Sequence, residues 1–265
     1  MIRVIVCGAY GKMGREVMKA VHQDAELELV GGVDFQASGD RDAGELIGVG
    51  KLGISVEKDL TEVIKKTKPQ VMVDFTKPEA VMGNLRVALQ HGVRPVVGTT
   101  GLTTVDHEEI RRLCADNNTG ALISPNFAIG AILLMKMAQE AAKVMPHVEI
   151  IELHHDQKLD APSGTALRTA ELIAEVRGEM RQGHPEEVEK LTGARGAQYA
   201  GIPIHSVRLP GYVAHQEVIF GALGQTLTIR HDSISRESFM PGVVLACKRV
   251  LDLNGLVIGL EHVMG

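Results

Sequence analysis

A glycine-rich segment near the start of the chain constrains the fold more than any other feature. The run GAYGKMG, residues 8–14, follows an apolar run at 2–7 and opens a predicted helix at 12–22. Glycines at 8 and 11 permit a tight turn and close approach of a pyrophosphate, and glycine at 14 lets the helix pack against the strand. Asp34 ends the next predicted strand, where a ribose hydroxyl acceptor is expected. The segment predicts a dinucleotide-binding unit, although Ala9 departs from the strict G-x-G-x-x-G pattern.

The rest of the first half alternates strands and helices. Strands are predicted at 2–7, 27–34, 71–75, 95–97 and 121–123, and helices at 12–22, 60–66, 78–91 and 103–117. Residues 35–51 are rich in Gly and Asp and are expected to form a loop or lid. Such alternation predicts an α/β fold with a Rossmann-type, doubly wound parallel sheet. The low aromatic content, 3% with no Trp, favours an aliphatic core of the kind that parallel sheets have.

The pattern changes after residue 126. A helix is predicted at 128–143, a strand at 148–155, a helix at 163–177, a charged excursion at 179–195 and consecutive strands at 202–207, 214–220 and 225–231. Consecutive strands predict a second α+β domain on a mixed or antiparallel sheet. A final helix is predicted at 236–253. We expect a dinucleotide-binding domain at 1–126, completed by the C-terminal helix region 236–265, and a substrate-binding and oligomerisation domain at 127–235.

Charge and composition exclude several classes of partner. The net charge is -5 and no basic stripe occurs, which argues against nucleic acid. No apolar run reaches membrane-spanning length, and the N-terminus is typical of a strand rather than a signal peptide. The cysteines, Cys7, Cys114 and Cys247, are odd in number and far apart, which argues against a disulfide framework or a metal site and fits a reducing cytoplasm.

The segment 154–166, HHDQKLDAPSGTA, concentrates the polar chemistry of the second half. It contains two imidazoles, a lysine, a proline that fixes the backbone, and a Ser-Gly-Thr helix start. Ser163 is a good N-cap, and the following backbone N–H groups lie at the positive end of the helix dipole, where a carboxylate binds well. The segment therefore predicts a site that holds a small polyanion and protonates it.

Seven motifs, in order from residue 8 to residue 239, resemble those of the 4-hydroxy-tetrahydrodipicolinate reductase (dihydrodipicolinate reductase) family. They are GAYGKMGRE, VDFT, GTTG, SPNFAIG, ELHHDQKLDAPSGTA, GIPIHSVRLPG and HDSISRESF. The resemblance implies a two-domain fold and a homotetramer built through the sheets of the second domain. It also implies hydride transfer from NADH or NADPH to a cyclic imine dicarboxylate, which gives tetrahydrodipicolinate.

The same resemblance assigns roles to individual residues. His154 is the implied proton donor or acceptor and Lys158 the implied proton donor. Substrate-binding roles are implied for His155, Gly164 and Thr165. The residues implied to line the cofactor are Gly8, Ala9, Tyr10, Gly11, Lys12, Met13, Asp34, Gly98, Thr99, Thr100, Ser124, Pro125, Asn126 and Phe127.

Cofactor choice depends on the residues beside the adenosine ribose. Asp34 favours NADH, because a 2′-phosphate would meet its carboxylate at close range. Phe35 stands where some family members carry an arginine, so we expect NADH to be used at least as well as NADPH. Lys12, Arg15 and Arg41 are the only nearby cations that the sequence suggests for a 2′-phosphate.

Two alternatives remain open. One is another nicotinamide-dependent dehydrogenase with this domain pairing, for example one that acts on aspartate, which would share the glycine loop without needing Lys158 beside the helix start. The other is a redox sensor that binds a dinucleotide and a partner protein. A sensor would not need the pairing of His154 with Lys158, and the sequence contains no DNA-binding segment.

Overall fold

The chain folds into two compact units. The structure, a computed structural model, describes residues 1–264. Met1–Phe127 and the C-terminal segment from Phe239 onward form the first unit, and Ala128–Ser238 form the second. Within the described residues, no helix combines the length and the apolarity needed to cross a membrane.

The first unit begins with the predicted alternation of strands and helices. Its elements are β1 (Ile2–Cys7), α1 (Lys12–Gln23), β2 (Leu27–Val33), α2 (Ala43–Ile47), β3 (Val56–Glu57), α3 (Leu60–Thr67), β4 (Val71–Asp74), α4 (Pro78–Gln90), β5 (Arg94–Val97), α5 (Thr104–Asp116) and β6 (Gly120–Ile123). The strands are buried runs of aliphatic residues, as strands covered on both faces must be.

Loop 35–51 is more ordered than the sequence predicts. Asp42 is the reason: its carboxylate caps α2 by accepting the Gly44 N–H, and it also accepts backbone N–H groups of 52–54. One short side chain therefore closes the segment on itself. This local hydrogen bonding leaves no trace in hydrophobic periodicity, and the two-residue strand β3 is too short to be predicted.

The second unit contains two helices and a mixed sheet. Its elements are α6 (Ile129–Ala142), β7 (His147–His154), α7 (Gly164–Arg177), β8 (Ala197–Tyr199), β9 (Ile202–Arg208), β10 (Ala214–Ala222) and β11 (Gln225–Ser233). The strand order is β11-β10-β7-β9-β8. Strands β7 and β9 are parallel and the other neighbours are antiparallel, which confirms the predicted mixed sheet.

The side chains of the central strand β7 alternate between the two faces of this sheet. Val148, Ile150 and Glu152 are buried on the face that packs against α6 and α7, here called the helix face. Ile151 and Leu153 lie on the opposite face, here called the open face, and are only half-buried. A charged residue such as Glu152 is unusual at a buried position, and its charge needs compensating partners.

The predicted single helix at 236–253 is wrong. The segment contains a 3₁₀ turn at Arg236–Phe239, helix α8 (Met240–Arg249), a second 3₁₀ turn at Val250–Asp252 and then strand β12 (Gly255–Ile258). The helical run ends at Leu253, whose backbone is extended, and Gly255 with φ +88°, a conformation that favours glycine, begins the strand. Strand β12 then pairs in parallel with β6, where an unpaired sheet edge would otherwise remain.

With β12 included, the first unit has a seven-stranded sheet in the order β12-β6-β5-β4-β1-β2-β3. All the strand pairs are parallel, which confirms the predicted doubly wound α/β class. The last residues of neighbouring strands are in register, since Cys7 pairs with Val33 and Asp74, and Val97 pairs with Asp74 and Ile123. The turns that follow these strands are thus gathered along one edge of the sheet, where ligands of such folds bind.

Candidate functional site

In the first unit, the glycine loop between β1 and α1 has room only for glycine at two positions. Gly8 has φ +82°, and a Cβ there would lie 2.5 Å from the carbonyl oxygen of Phe75. A Cβ on Gly14 would lie 2.0 Å from the carbonyl oxygen of Gly8, so α1 can approach the loop only because Gly14 lacks a side chain. Both glycines hold the backbone in the form expected of a pyrophosphate-binding turn.

Asp34 fastens this loop to the end of β2. It is nearly buried, and its Oδ2 accepts the Tyr10 N–H over 3.0 Å. Its Oδ1 accepts the Gln36 N–H over 3.1 Å. Each carboxylate oxygen can accept a further hydrogen bond, so Asp34 can serve a ribose while it fixes the loop.

A cavity of about 740 Å³ lies against the glycine loop. Of the predicted cofactor residues, Gly8, Tyr10, Gly11 and Asp34 line it. The predicted 2′-phosphate cations do not: Arg41 instead stacks its guanidinium 5.5 Å from the ring centroid of Tyr10. Two other lysines line the cavity, so the expectation that Lys12, Arg15 and Arg41 are the only nearby cations is wrong.

Two lysines far apart in sequence line the cavity instead. Lys58 follows β3, whose Glu57 carbonyl accepts the Asp34 N–H over 3.0 Å. Lys77 stands 5.6 Å from the ring centroid of Phe35. Both cations therefore line the same cavity as Asp34 and Phe35, a proximity that only the folded chain creates.

A second set of predicted cofactor residues is organised by Asp74 at the end of β4. This carboxylate is fully buried and accepts hydrogen bonds from Thr76, from the Thr99 hydroxyl over 2.8 Å and from the Asn84 amide over 2.7 Å. The turns at 74–76 and 98–101, which follow the neighbouring strands β4 and β5, are thereby brought together. Asp74 acts as their common anchor.

The remaining predicted cofactor residues do not line the cavity. Gly98 packs on the ring of Phe75, which in turn lies 5.8 Å from the ring of Phe127. The Ser124 hydroxyl donates to the Asn126 carbonyl and accepts the Leu260 N–H, which ties the 124–127 turn to the C-terminal segment. The other members of the predicted set, also outside the cavity lining, are Ala9, Lys12, Met13, Thr100 and Pro125.

One polar atom of a residue that lines the cavity lacks a partner. The hydroxyl of Tyr10 is buried and makes no hydrogen bond among the residues described. A buried hydroxyl without a partner is costly, and a polar ligand in this cavity would supply one. With the glycine cradle and Asp34, this orphaned group indicates that the residues present fit a dinucleotide.

In the second unit, polar groups converge at the C-terminal end of β7. Nδ1 of His154 lies 2.5 Å from Oε2 of Glu152, two residues earlier on the helix face. The guanidinium of Arg208, opposite His154 on β9, grips the same carboxylate with Nη1 at 2.8 Å and Nη2 at 2.7 Å. Neither Glu152 nor Arg208 is among the site residues that the sequence predicts.

The network extends to the other predicted residues. Ser163 caps α7 by accepting the Ala166 N–H, and its own N–H donates to Oε1 of Glu152 over 3.2 Å. Nη2 of Arg208 also donates to the carbonyl of Asp160, whose carboxylate lies 2.7 Å from Nζ of Lys158. His154, Lys158 and the start of α7 thus belong to one connected cluster.

Two predicted substrate residues lie at the rim of this cluster. His155 is exposed and follows the last residue of β7, so the strand predicted at 148–155 ends one residue earlier than expected. Gly164 begins α7, and a Cβ added there would meet nothing within 4 Å. Open space therefore lies in front of the helix start, next to Thr165.

Glu152 remains ionised although its side chain is completely buried. Burial is the largest single influence and raises its pKa, but hydrogen bonds from His154, Arg208 and Ser206 together outweigh it and lower the pKa to about 2. The Glu152 carboxylate therefore carries its negative charge at neutral pH.

This lowered pKa predicts a pH dependence of stability. Because the folded-state pKa lies below the ordinary value of 4.5, the stabilising contribution of Glu152 is present above that value and is lost as the pH falls toward about 2. We expect the difference in unfolding free energy between the wild type and Glu152→Gln to shrink between about pH 5 and pH 3. Denaturant titrations at several pH values measure it, and a constant difference would contradict the assignment.

Comparisons with known proteins agree across the whole chain. Residues 2–127 match the family model described as dihydrodipicolinate reductase, N-terminus, and residues 130–264 match that for its C-terminus. The 4-hydroxy-tetrahydrodipicolinate reductases of Desulfitobacterium hafniense (strain DSM 10664 / DCB-2) and Geobacillus kaustophilus are 58% and 55% identical, over 98% and 99% of both chains.

A solved structure gives the same result. A dihydrodipicolinate reductase from Paenisporosarcina sp. TG-14, determined with dipicolinate bound, is 48% identical, covers 100% of each chain and superposes with a TM-score of 0.90. With both family models and these relatives in agreement from end to end, the chain belongs to the dihydrodipicolinate reductase family.

Proposed function

We propose that this chain reduces the cyclic imine dicarboxylate derived from 4-hydroxy-tetrahydrodipicolinate to tetrahydrodipicolinate, in lysine and diaminopimelate biosynthesis. Family membership makes it an NAD(P)H-dependent oxidoreductase. The observation that carries the proposal is the cluster at the end of β7, where a histidine and a lysine are connected through hydrogen bonds to a helix start that suits a carboxylate.

We infer that the first unit holds the cofactor. Gly8, Tyr10 and Gly11 would surround the pyrophosphate, and Asp34 would accept hydrogen bonds from the ribose. The Asp74 anchor and the turns at 98–100 and 124–127 would form the nicotinamide end of the site. When bound, the reduced nicotinamide supplies the hydride.

The second unit would perform the proton chemistry. Reduction of a conjugated imine leaves negative charge at the end remote from the new C–H bond, and a proton must neutralise it. His154 is suited to donate that proton, because an imidazole can carry a transferable proton and Nδ1 is already held by Glu152, which leaves Nε2 for the substrate. Lys158 would act as a second proton donor, or through water, from its ion pair with Asp160.

A substrate carboxylate would bind at the first turn of α7, with His155, Gly164 and Thr165 as its contacts. The relative from Paenisporosarcina sp. TG-14 binds dipicolinate, a planar dicarboxylate, which supports this part of the proposal. We expect dipicolinate (pyridine-2,6-dicarboxylate) to inhibit competitively with the imine. Thr165→Val should weaken its binding by about five- to tenfold, the value of roughly one polar contact.

Inhibition constants for the wild type, Thr165→Val and the matched control Thr192→Val test this prediction. Thr192 lies in the exposed segment between α7 and β8, so its variant should inhibit like the wild type. Unchanged dipicolinate affinity in Thr165→Val would remove this contact from the proposal.

For the cofactor, we propose that NADH is used at least as well as NADPH, with a preference of about tenfold or less. Asp34 disfavours a 2′-phosphate, whereas Lys58 and Lys77 on the same cavity supply compensating charge. The values of kcat/KM with the two cofactors measure the preference, and Lys58→Ala and Lys77→Ala should lower only the NADPH value. A preference for NADPH greater than tenfold would overturn this expectation.

We also propose that the chain forms a homotetramer through the open face of the second sheet. Half-buried apolar side chains on three strands support this: Ile151 and Leu153 on β7, Val207 on β9 and Ile219 on β10. Light scattering tests it, with a mass four times that of one chain expected. A cytoplasmic location is part of the proposal, supported by cysteines that are all free and buried.

The activity itself is tested by oxidation of NADH, followed with and without freshly prepared imine. Oxidation that depends on the imine supports the proposal. Aspartate and NAD⁺ serve as the comparison, because an amino-acid dehydrogenase of the same domain pairing would act on them instead.

A further inference from the structure

Both oxygens of the buried Glu152 carboxylate accept hydrogen bonds, and one of the donors is His154, which the proposed chemistry needs. Oε2 accepts hydrogen bonds from Nδ1 of His154 and Nη1 of Arg208. Oε1 accepts hydrogen bonds from Nη2 of Arg208 and the Ser163 N–H. A buried charge is retained only where such partners compensate its lost hydration. Simple stabilisation would be served as well by an apolar residue, as at Val148 and Ile150 on the same face.

We propose that Glu152 is a positioning residue that fixes the tautomer and orientation of His154, so that Nε2 is the atom that exchanges a proton with the substrate. An ionised carboxylate can only accept hydrogen bonds, so Nδ1 must carry a hydrogen. The lone pair, or the transferable proton, is then on Nε2. The expected effect on turnover rests on the proposed function, whereas the tautomer of His154 does not.

Arg208 keeps Glu152 ionised and in place. Its two terminal nitrogens grip both carboxylate oxygens, a geometry that allows little rotation of the carboxylate. Its Nη2 also holds the Asp160 carbonyl over 2.8 Å, in the loop that leads to α7. The carboxylate therefore cannot turn away from His154 without breaking contacts to β9 and to this loop.

Glu152 further links the histidine to the anion-binding end of α7. The Ser163 N–H that it accepts immediately precedes Gly164 and Thr165. The distance between the proton donor and the bound carboxylate is thus set by one rigid, buried group. Such control of geometry matters because small displacements of a catalytic group lower turnover strongly.

The test combines kinetics with nitrogen NMR of histidine-labelled protein, in which the His154 signals are identified by their loss in His154→Gln. In the wild type, Nδ1 of His154 should carry a hydrogen throughout the neutral range. In Glu152→Gln the amide can either donate or accept, so signals of the tautomer protonated only at Nε2 should appear. We expect kcat to fall on the order of 10²-fold and KM for NADH to stay unchanged.

Glu149→Gln is the matched control. Glu149 lies on the same strand and also contacts a histidine and an arginine, His205 and Arg195, but on the open face. Its variant should leave the His154 signals unchanged. Glu152→Asp keeps the charge on a shorter side chain and should restore part of kcat and of the wild-type tautomer.

Unchanged His154 signals in Glu152→Gln would overturn the proposal, whether or not kcat falls, because a purely structural role requires no change of tautomer. If Glu152→Gln does not fold, Glu152→Leu, which leaves Nδ1 of His154 without the carboxylate acceptor, decides with the same readouts, and wild-type His154 signals in that variant would refute the proposal. The spectrum needs no substrate. A wild type that fails to reduce the imine would therefore defeat the proposed function and leave the tautomer result to stand separately.

Discussion

Replacing His154 by glutamine is expected to lower kcat by a factor on the order of 10²–10⁴, the range usual for the loss of a positioned acid or base. Glutamine can still hydrogen-bond to Glu152, so the buried carboxylate keeps a partner and the fold should survive. The affinity for NADH should change little, because His154 lies in the second unit and the glycine loop lies in the first. Steady-state kinetics at saturating cofactor measure the effect.

The neighbouring histidine provides the comparison. His155→Gln alters an exposed imidazole one residue further on, which we propose as a substrate contact, so its main effect should be on KM for the imine. Near wild-type turnover in His154→Gln would remove His154 from the mechanism. A large loss of kcat in His155→Gln alone would make His155 the proton donor and His154 the substrate contact.

Of the variants proposed here, Arg208→Gln should lose the most stability, about 3–5 kcal/mol of unfolding free energy. The reason is that Glu152 is completely buried, and without the guanidinium its charge loses the cation that contacts both of its oxygens. Denaturant unfolding measures the loss. The double variant Arg208→Gln with Glu152→Gln should be more stable than Arg208→Gln alone, because it removes the uncompensated charge as well.

Arg168→Gln is the control for this comparison. Arg168 pairs with Glu171 on the same helix, α7, but the two side chains are 47% and 40% exposed. The loss should therefore be about 1 kcal/mol or less. Equal losses for the two arginines, or a double variant no more stable than Arg208→Gln, would contradict the account of Glu152 as a buried charge held by Arg208.

The fold was largely predictable because its strongest signals are local. Buried aliphatic runs separated by amphipathic segments identify a parallel sheet, and the glycine loop identifies its first turn. Strand β12 was missed because Met240–Arg249 is helical and its pattern was extended too far. The Asn254-Gly255 pair before a short apolar run was the available signal for a turn and a new strand.

The site was only partly predictable because its partners come from distant strands. His154, Lys158 and Ser163 stand close together in the sequence and could be identified by their chemistry. Arg208 lies opposite His154 only because β7 and β9 pair in parallel in one register. Glu152 did leave a signal, since the alternation of β7 assigns it to the same face as Val148 and Ile150, where a carboxylate needs a buried partner.

The central claim is that this chain reduces a cyclic imine dicarboxylate with NADH or NADPH, and product stoichiometry tests it most directly. Purified protein is incubated with NADH and freshly prepared imine, and the oxidised nicotinamide and the dicarboxylate product are quantified together. The account predicts one tetrahydrodipicolinate formed for each NADH oxidised, with no oxidation when the imine is left out. Oxidation of NADH without the imine, or no product in its presence while aspartate reduces NAD⁺, would contradict it.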